Sequence, residues 1–372
     1  MVLRTLEGPD AIAETVLKCR PSVISGIRQE PLLGTLSRLE KNCSMYSVPA
    51  EMITYLKAAA MKGARCIGLM NGSDLASCNA ELASIATNHI PVVLLVANRS
   101  SFFPAPVLCD YQGAYQVENT GWVMLFCSTL QELADTLPQA FKTSSFTSVP
   151  VMVFIDGFYH THQTTQINIA PQDVYDKFLA DIKIRPVLDF SSKNVNMESA
   201  TPKEYEKRLT IYEGALQSVK ERIIQAEYQW NDLVGREYGN GLYSTYMIED
   251  AQSVLVCMGS FYGNALEAAE RQRKLGIRSG LVRLKCFRPF PYEVAEILEN
   301  KKVGVMERAL KLGSRGSVYL DLLEVAQGGK NLNVVAQFVC GIGGSDLNVK
   351  HARIMLEKIE KGLRTREQIE GN

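Results

Sequence analysis

Pro91-Val-Val-Leu-Leu-Val-Ala-Asn-Arg99 is the stretch on which the reading of this chain turns. Val92 to Ala97 are apolar without period-2 alternation, the pattern of a strand buried on both faces of a parallel sheet. The run stops abruptly at Asn98-Arg99. Ligands of open parallel sheets sit beyond the carboxyl ends of the strands. Arg99 is therefore either a surface arginine at a strand end or a cation placed to meet an anion.

The flanking segments repeat the theme. Cys66-Ile-Gly-Leu-Met70 reads as a strand, and Asn71-Gly-Ser-Asp74 as a loop in which Asp74 can cap a helix over 75–87. Upstream, helices are expected over 11–19, 32–39 and 49–62. Ser22-Val-Ile24 runs as a strand into Gly26-Ile-Arg-Gln-Glu-Pro31. Pro31 suits the first turn of the next helix, so 26–31 becomes a strand-to-helix loop with N–H groups free to face an anion. Downstream, 100–121 is loop-like, with Pro104, Pro106, Gly113 and Gly121, a length that usually signals function or an interface. A strand over 122–126 and a helix over 130–141 precede the buried strand Val149-Pro-Val-Met-Val-Phe-Ile155, which ends in Asp156-Gly-Phe-Tyr-His160. His160 and His162 would share a face of that extended segment, as a metal pair or as hydrogen-bonding and packing groups. No third ligand is near, and no metal site is expected.

From Asp189 to Lys203 the composition turns polar and reads as a linker, followed by a charged amphipathic helix over 204–234. Strands over 253–258, 278–284, 303–306 and 334–339 then alternate with helices over 264–275, 292–299, 318–326 and 347–361. Alternation of this kind predicts an α/β fold of two three-layer domains with mainly parallel sheets. The expected boundaries are 1–188, a linker and long helix over 189–235, and 236–372.

Charge and cysteine usage narrow the function. Lys and Arg total 40 and Asp and Glu total 40 over 372 residues, so neither a nucleic-acid face nor a polybasic membrane tail is implied. The first residues lack a signal peptide's apolar core, and no run approaches the roughly 20 apolar residues of a membrane span. A cytoplasmic protein is expected. Nine cysteines occur without any Cys-x-x-Cys pair, which leaves zinc or iron–sulfur spacing absent. Gly341-Ile-Gly343-Gly344-Ser-Asp346 has Asp where a dinucleotide fingerprint needs its third glycine, and it follows the last strand rather than the first. No P-loop and no G-x-S-x-G elbow is present, so the chain alone carries no obvious catalytic set.

Several segments in order nonetheless resemble the α subunit of the 2-oxoacid:ferredoxin oxidoreductases, the pyruvate:ferredoxin oxidoreductase superfamily. They are Val96-Ala-Asn-Arg99, Asp110-Tyr-Gln112, Asn119-Thr-Gly-Trp122, Pro150-Val-Met152, Asp156-Gly-Phe158 and Thr161-His162, then Met258-Gly-Ser260, Arg283-Leu284, Phe287-Arg-Pro-Phe-Pro291 and Gly341-Ile-Gly-Gly344. The resemblance spans about residues 8 to 362. It implies a pyrimidine-type thiamin-diphosphate-binding domain followed by a transketolase C-terminal-like domain. The chain would supply half of a thiamin diphosphate site shared with a β subunit, while partners hold Mg²⁺ and [4Fe–4S] clusters. Partners of β, γ and δ type are implied, with a 2-oxoacid substrate, coenzyme A as a candidate co-substrate, and ferredoxin or another electron acceptor. The expected activity is oxidative decarboxylation, absent from the chain on its own.

The resemblance also assigns residues. Arg99 matches the family's substrate arginine. The family's Tyr-Pro-Ile-Thr-Pro loop corresponds to Ser25-Gly-Ile27-Arg28-Gln29, with Arg28 at the substrate threonine, and its Thr-Ser-Ser loop to Met70-Asn71-Gly72. The family's cofactor glutamate falls on Pro49, with Glu51 the nearest carboxylate. Arg99 and Arg28 are thus the expected catalytic residues, and Glu51, Ile27 and Asn71 the expected cofactor contacts. A fixed second cation near neutral pH favours a dianion such as oxalate, whose oxidising branch also resembles this pattern. If Arg28 turns to a partner's acid instead, a bulky aryl glyoxylate fits. The alternatives are a diverged subunit that assembles without supporting thiamin chemistry, and an unrelated nicotinamide dehydrogenase.

Overall fold

The apolar run around Leu94 is the middle strand of a seven-stranded sheet. It is seen in a computed structural model that describes residues 2–184, 186, 201–328 and 331–371. The linker expected over 189–203 lies, as far as residue 200, outside the described residues.

In chain order the first half comprises β1 (Arg4–Glu7), α1 (Gly8–Lys18), β2 (Val23–Ile27), α2 (Leu33–Leu39), β3 (Cys43–Tyr46), α3 (Pro49–Met61) and β4 (Cys66–Asn71). It continues through α4 (Asn79–Thr87), β5 (Val93–Asn98), α5 (Gln112–Gln116), β6 (Val123–Phe126), α6 (Leu130–Thr147), β7 (Val151–Asp156), β8 (Thr164–Ile167) and α7 (Gln172–Leu179). The long α8 (Pro202–Val234) leads to β9 (Tyr243–Tyr246), β10 (Ser253–Met258), α9 (Tyr262–Lys274), β11 (Ser279–Leu284) and β12 (Cys286–Arg288). The chain finishes with α10 (Val294–Leu298), β13 (Lys302–Glu307), α11 (Ser317–Gln327), β14 (Asn333–Cys340), α12 (Val349–Glu360) and β15 (Thr365–Ile369).

The first sheet runs β12-β6-β7-β5-β4-β2-β3 and the second β15-β14-β13-β10-β11-β9. All neighbours in them are parallel except the edge strands β12 and β9. β4, β5, β6 and β7 are buried at every position, as a sheet covered on both faces requires. β2 passes on to β3, while β4 pairs on the other side of β2. That reversal opens a crevice at the carboxyl ends of β2 and β4, where ligands of such sheets bind. A second reversal lies between β10 and β13. Register sets Asn71 beside Ala97 and Asn98 beside Asp156, so polar residues line one edge of an apolar sheet.

α8 ties the halves together. Thr201 and Glu204 form its capping box, and Gly235 at φ 67° ends it. Its inner stripe includes Val219, Ile223, Ala226, Trp230 and Val234, and the Trp230 indole N–H donates to Asp135 Oδ1 at 2.9 Å. Buried Lys285 reaches Glu227 at 2.7 Å, and Arg283 pairs with Glu132. These charges lie between α8, α6 and the second domain, where removing one partner would strand the other without water.

Four local expectations change. The Asp74 carboxylate accepts from the Asn71 N–H at 3.3 Å at the start of a 3₁₀ segment over Gly72–Cys78, and the α-helix begins only at Asn79. Pro31 lies in a turn two residues before α2. The 100–121 loop contains the short helix α5. His160 and His162 follow β7 in a turn, so they do not share a strand face. His160 is buried between the Asp156 N–H and the Ser128 carbonyl, at 3.1 Å each. Its Nδ1 accepts, so Nε2 carries the proton, and burial holds its pKa below the ordinary value. His162 instead stacks on Phe158, with ring centroids 4.9 Å apart. All nine cysteines are free thiols, and burial pushes thiols such as Cys66 up to about 12.

Candidate functional site

Every residue singled out from the sequence lies at the carboxyl edge of the first sheet or one turn beyond it. Ile27 ends β2 with its side chain buried. Arg28 follows it, exposed, with its guanidinium in neither a hydrogen bond nor an ion pair among the described residues. Asn71 ends β4, fully buried. Its Nδ2 donates to the Glu30 carbonyl at 2.9 Å and approaches Gln29 Oε1 at 3.4 Å. Half-buried Arg99 donates from Nη1 to the same Glu30 carbonyl at 3.1 Å. Asn71 and Arg99 thus hold the 28–31 loop from below.

The backbone of that loop is not a free anion cradle. Arg28 N–H donates to the Tyr46 carbonyl at 3.2 Å and Gln29 N–H to the Ile27 carbonyl at 2.8 Å. Loop amides close to a strand end are taken by the neighbouring strand and by a tight turn, a use that the sequence pattern does not reveal. Recognition at this edge falls to side chains. The Arg99 Nε and both amide atoms of Asn98 are buried without a partner. Such atoms are rare in a native fold and mark places where a further group is needed. Glu51 sits exposed in the first turn of α3. It lies near Tyr46, whose phenol pKa is raised by burial first, then by Tyr55 and the Glu51 charge.

The opposite end of the same edge meets the second domain. Asp156, at the end of β7, accepts from Arg308 Nη1 at 2.7 Å, from Ser260, and from the Tyr111 hydroxyl at 3.4 Å. Burial alone would raise its pKa, but the Arg308 charge and these donors hold it below the ordinary value. Arg308 Nη2 also donates to the Cys109 carbonyl at 3.0 Å, and its guanidinium lies 5.2 Å from the Tyr111 ring centroid. Gly259 adopts φ 67°, and a Cβ there would fall 1.8 Å from the Tyr111 hydroxyl oxygen. Asp110-Tyr-Gln112 is the strap between the domains. Tyr111 N–H donates to the Arg308 carbonyl at 2.8 Å, and the Gln112 amide exchanges two bonds with the Leu310 backbone at 2.8 and 2.9 Å. Beside this junction lies a cleft of about 320 Å³, with Phe158, Tyr159, Ser260, Asn264 and Arg308 among its walls.

Two family models cover most of the chain. Residues 50–227 match "Pyruvate flavodoxin/ferredoxin oxidoreductase, thiamine diP-bdg", and residues 251–352 match "Pyruvate:ferredoxin oxidoreductase core domain II". This chain belongs to the 2-oxoacid:ferredoxin oxidoreductase family, as an α subunit. Among its relatives, the pyruvate synthase subunit PorA of Methanosarcina barkeri is 29% identical over 371 residues, covering 96% of this chain and 92% of that protein. The ketoisovalerate oxidoreductase subunit VorA of Pyrococcus abyssi is 26% identical over 97% of this chain and 94% of its own length. Among solved structures, the 2-oxoglutarate:ferredoxin oxidoreductase of Magnetococcus marinus superposes with a TM-score of 0.72 at 12% identity. That superposition covers 96% of this chain, which spans 65% of that one. A split-gene transketolase superposes with a TM-score of 0.58 at 11% identity, over 96% of this chain and 98% of its own. Both of these likenesses speak to the fold.

Within the family's fold, the Arg99 edge was legible because an arginine ends a two-face-buried strand. Asp156 carried a weaker signal, a carboxylate at the end of such a strand. Its partner Arg308 carried none, because the two are 152 residues apart in sequence. Asn98 was passed over although it adjoins Arg99.

Proposed function

We propose that this chain supplies the pyrimidine-side half-site and the substrate-carboxylate arginine of a thiamin-diphosphate-dependent 2-oxoacid:acceptor oxidoreductase. The observation that carries this reading is the edge formed by Arg28, Asn71, Asn98 and Arg99, with buried donors and acceptors left over at the end of β5, one strand from the sheet's reversal point. The residues present fit an aminopyrimidine. Ile27 and Asn71 would flank it, and Glu51 would be the acid facing a ring nitrogen. Thiamin diphosphate supplies, when bound, the electron sink for decarboxylating a 2-oxoacid.

This chain's own part is recognition and charge. Arg99 has its Nη1 on the Glu30 carbonyl and its Nε buried without a hydrogen bond, so the rest of its half-exposed guanidinium can meet one carboxylate while Nη1 keeps it anchored. Charge-assisted bonds of this kind orient as well as bind. Arg28 adds a second cation at the same edge with no acid bound to it among the described residues. Two cations opposite one carboxylate leave one charge under-paired once water is excluded. The preferred substrate is therefore a dianion, oxalate or a 2-oxoacid with a distal acid. β-, γ- and δ-type subunits complete the enzyme, hold Mg²⁺ and [4Fe–4S] clusters, and pass electrons to ferredoxin.

The test is a substrate panel on the native complex and on its Arg28→Thr form, with oxalate, 2-oxoglutarate, pyruvate and phenylglyoxylate. Turnover of dianions that drops selectively in Arg28→Thr supports the reading. Efficient turnover of pyruvate or phenylglyoxylate, indifferent to the substitution, overturns the dianion preference. Absence of thiamin diphosphate and of 2-oxoacid turnover in the complex overturns the enzyme assignment, in favour of a diverged subunit.

A further inference from the structure

We infer that Asp110 is a positioning residue for Arg99, acting through a closed loop whose neck is clamped by the second domain's glycine motif. The inference rests on the function proposed above for Arg99. Asp110 is 4% exposed and makes three contacts. Its Oδ1 accepts from the Gln112 N–H at 3.0 Å, and its Oδ2 lies 2.8 Å from Ser100 Oγ and 3.0 Å from the Gly343 nitrogen. Ser100 directly follows Arg99, and its N–H and hydroxyl both reach the Leu108 carbonyl at 3.0 Å. Residues 100–110 therefore form a loop tied at its neck, with the tip at Phe103 97% exposed.

The clamp comes from Gly341-Ile-Gly-Gly344, which fails as a dinucleotide fingerprint. Gly343 and Gly344 hold φ 64° and 82°, a region that side-chain-bearing residues avoid. A Cβ on Gly344 would fall 2.1 Å from the Leu108 Cβ, and one on Gly343 2.9 Å from the Pro106 Cγ. The glycines let the loop's backbone lie against them and turn the Gly343 N–H toward the Asp110 carboxylate. One carboxylate oxygen is thus shared by the residue after Arg99 and by the far domain. Arg99 is anchored at Nη1 by the Glu30 carbonyl and its Nε has no hydrogen bond among the described residues, so its direction is set by that single bond together with the backbone fixed at Ser100.

The test uses the native complex carrying Asp110→Asn, Arg99→Lys, and both. An asparagine places an NH₂ against one of three donors, so the KM for the 2-oxoacid should rise about tenfold, the loss of one hydrogen bond to a charged group. kcat should fall less than about threefold, and the KM for the electron acceptor should not move. The double variant should match Arg99→Lys alone in kcat/KM, because contacts acting through one residue are not additive. Additive losses, or an unchanged KM, overturn the inference. Ser100→Ala removes the hydroxyl that lies against both Asp110 Oδ2 and the Leu108 carbonyl but leaves the Ser100 N–H bond, and should shift KM in the same direction by a few-fold; an unchanged KM there also counts against it. Without turnover, oxalate should protect Arg99 from phenylglyoxal in the wild type and not in Asp110→Asn. Hydrogen exchange at the Ser100 and Gly343 amides should quicken about tenfold in Asp110→Asn, and unchanged exchange overturns the clamp even in a complex with no 2-oxoacid activity.

Discussion

The carboxyl ends of β2 and β5 leave Arg28 exposed without a partner among the described residues and Arg99 with a spare buried nitrogen, whereas the carboxyl ends of β7 and β10 bring three donors onto Asp156. Both are reversal points or neighbours of one, on sheets of the same kind. They differ in what covers them. The second region is covered by this chain's own second domain. The first is left uncovered by the described residues. The junction gathers its donors on one oxygen, Asp156 Oδ2, and leaves Asp156 Oδ1 and Arg308 Nε buried without a hydrogen bond, so the two edges are separated by what covers them and by the buried Arg308–Asp156 ion pair of the junction.

The comparison breaks most visibly at Arg308. Arg308→Met leaves the buried Asp156 carboxylate without its cation, and removing one member of a buried pair costs about 3–5 kcal/mol. Urea unfolding should show this loss, and a change under 1 kcal/mol would mean that the junction is held by apolar contact instead. Arg99→Ala tests the other edge by kinetics. It should lower kcat/KM for the 2-oxoacid in the assembled complex by on the order of 2–4 kcal/mol, the range for truncating one partner of a buried charge pair. Unchanged kinetics would return Arg99 to the role of a surface arginine.

A third effect depends on pH. Burial raises the Glu307 carboxyl from 4.5 to about 7, against the opposing bonds from Gln337, Tyr115 and the Val318 N–H. Between those two values the folded chain keeps a proton that the unfolded chain has lost. Stability from this group is therefore full below about pH 4.5 and declines until about pH 7, by about 3 kcal/mol. Glu307→Gln should flatten that decline in urea midpoints measured from pH 4.5 to 7.5. An equally steep decline in the variant would place the titration elsewhere. The smallest effect sharpens the contrast: Arg28→Ala, at an exposed position without a partner, should change stability by less than about 0.5 kcal/mol. A larger loss in the isolated chain would show that the open edge is more closed than it looks.

The parts of the fold legible in the sequence are those where burial on two faces leaves an unbroken apolar run. β5, β7 and β10 read directly. β3 (Cys43–Tyr46), β9 (Tyr243–Tyr246) and β15 (Thr365–Ile369) did not, because each is a short, half-exposed edge strand with no apolar run. The site divides in the same way. Arg99 is visible as a polar stop on an apolar strand, whereas Glu51 enters only through the family resemblance, as the carboxylate nearest to Pro49. The role of Asp110 and the pairing of Asp156 with Arg308 arise only when the two sheets are set edge to edge. No local pattern encodes that distance.

β12 has a consequence for any attempt to divide the protein. Cys286 and Arg288 pair antiparallel with Leu125 and Met124 of β6, so the second half of the chain donates the last strand of the first half's sheet. A fragment ending after α8 would present the bare backbone of Val-Met-Leu-Phe, four buried residues, to whatever strand came next. Unpaired apolar edges of that kind recruit other chains. Such a fragment should associate with itself or precipitate rather than behave as a soluble half, and fusions or split versions of this subunit should keep residues up to Arg288 with the first domain.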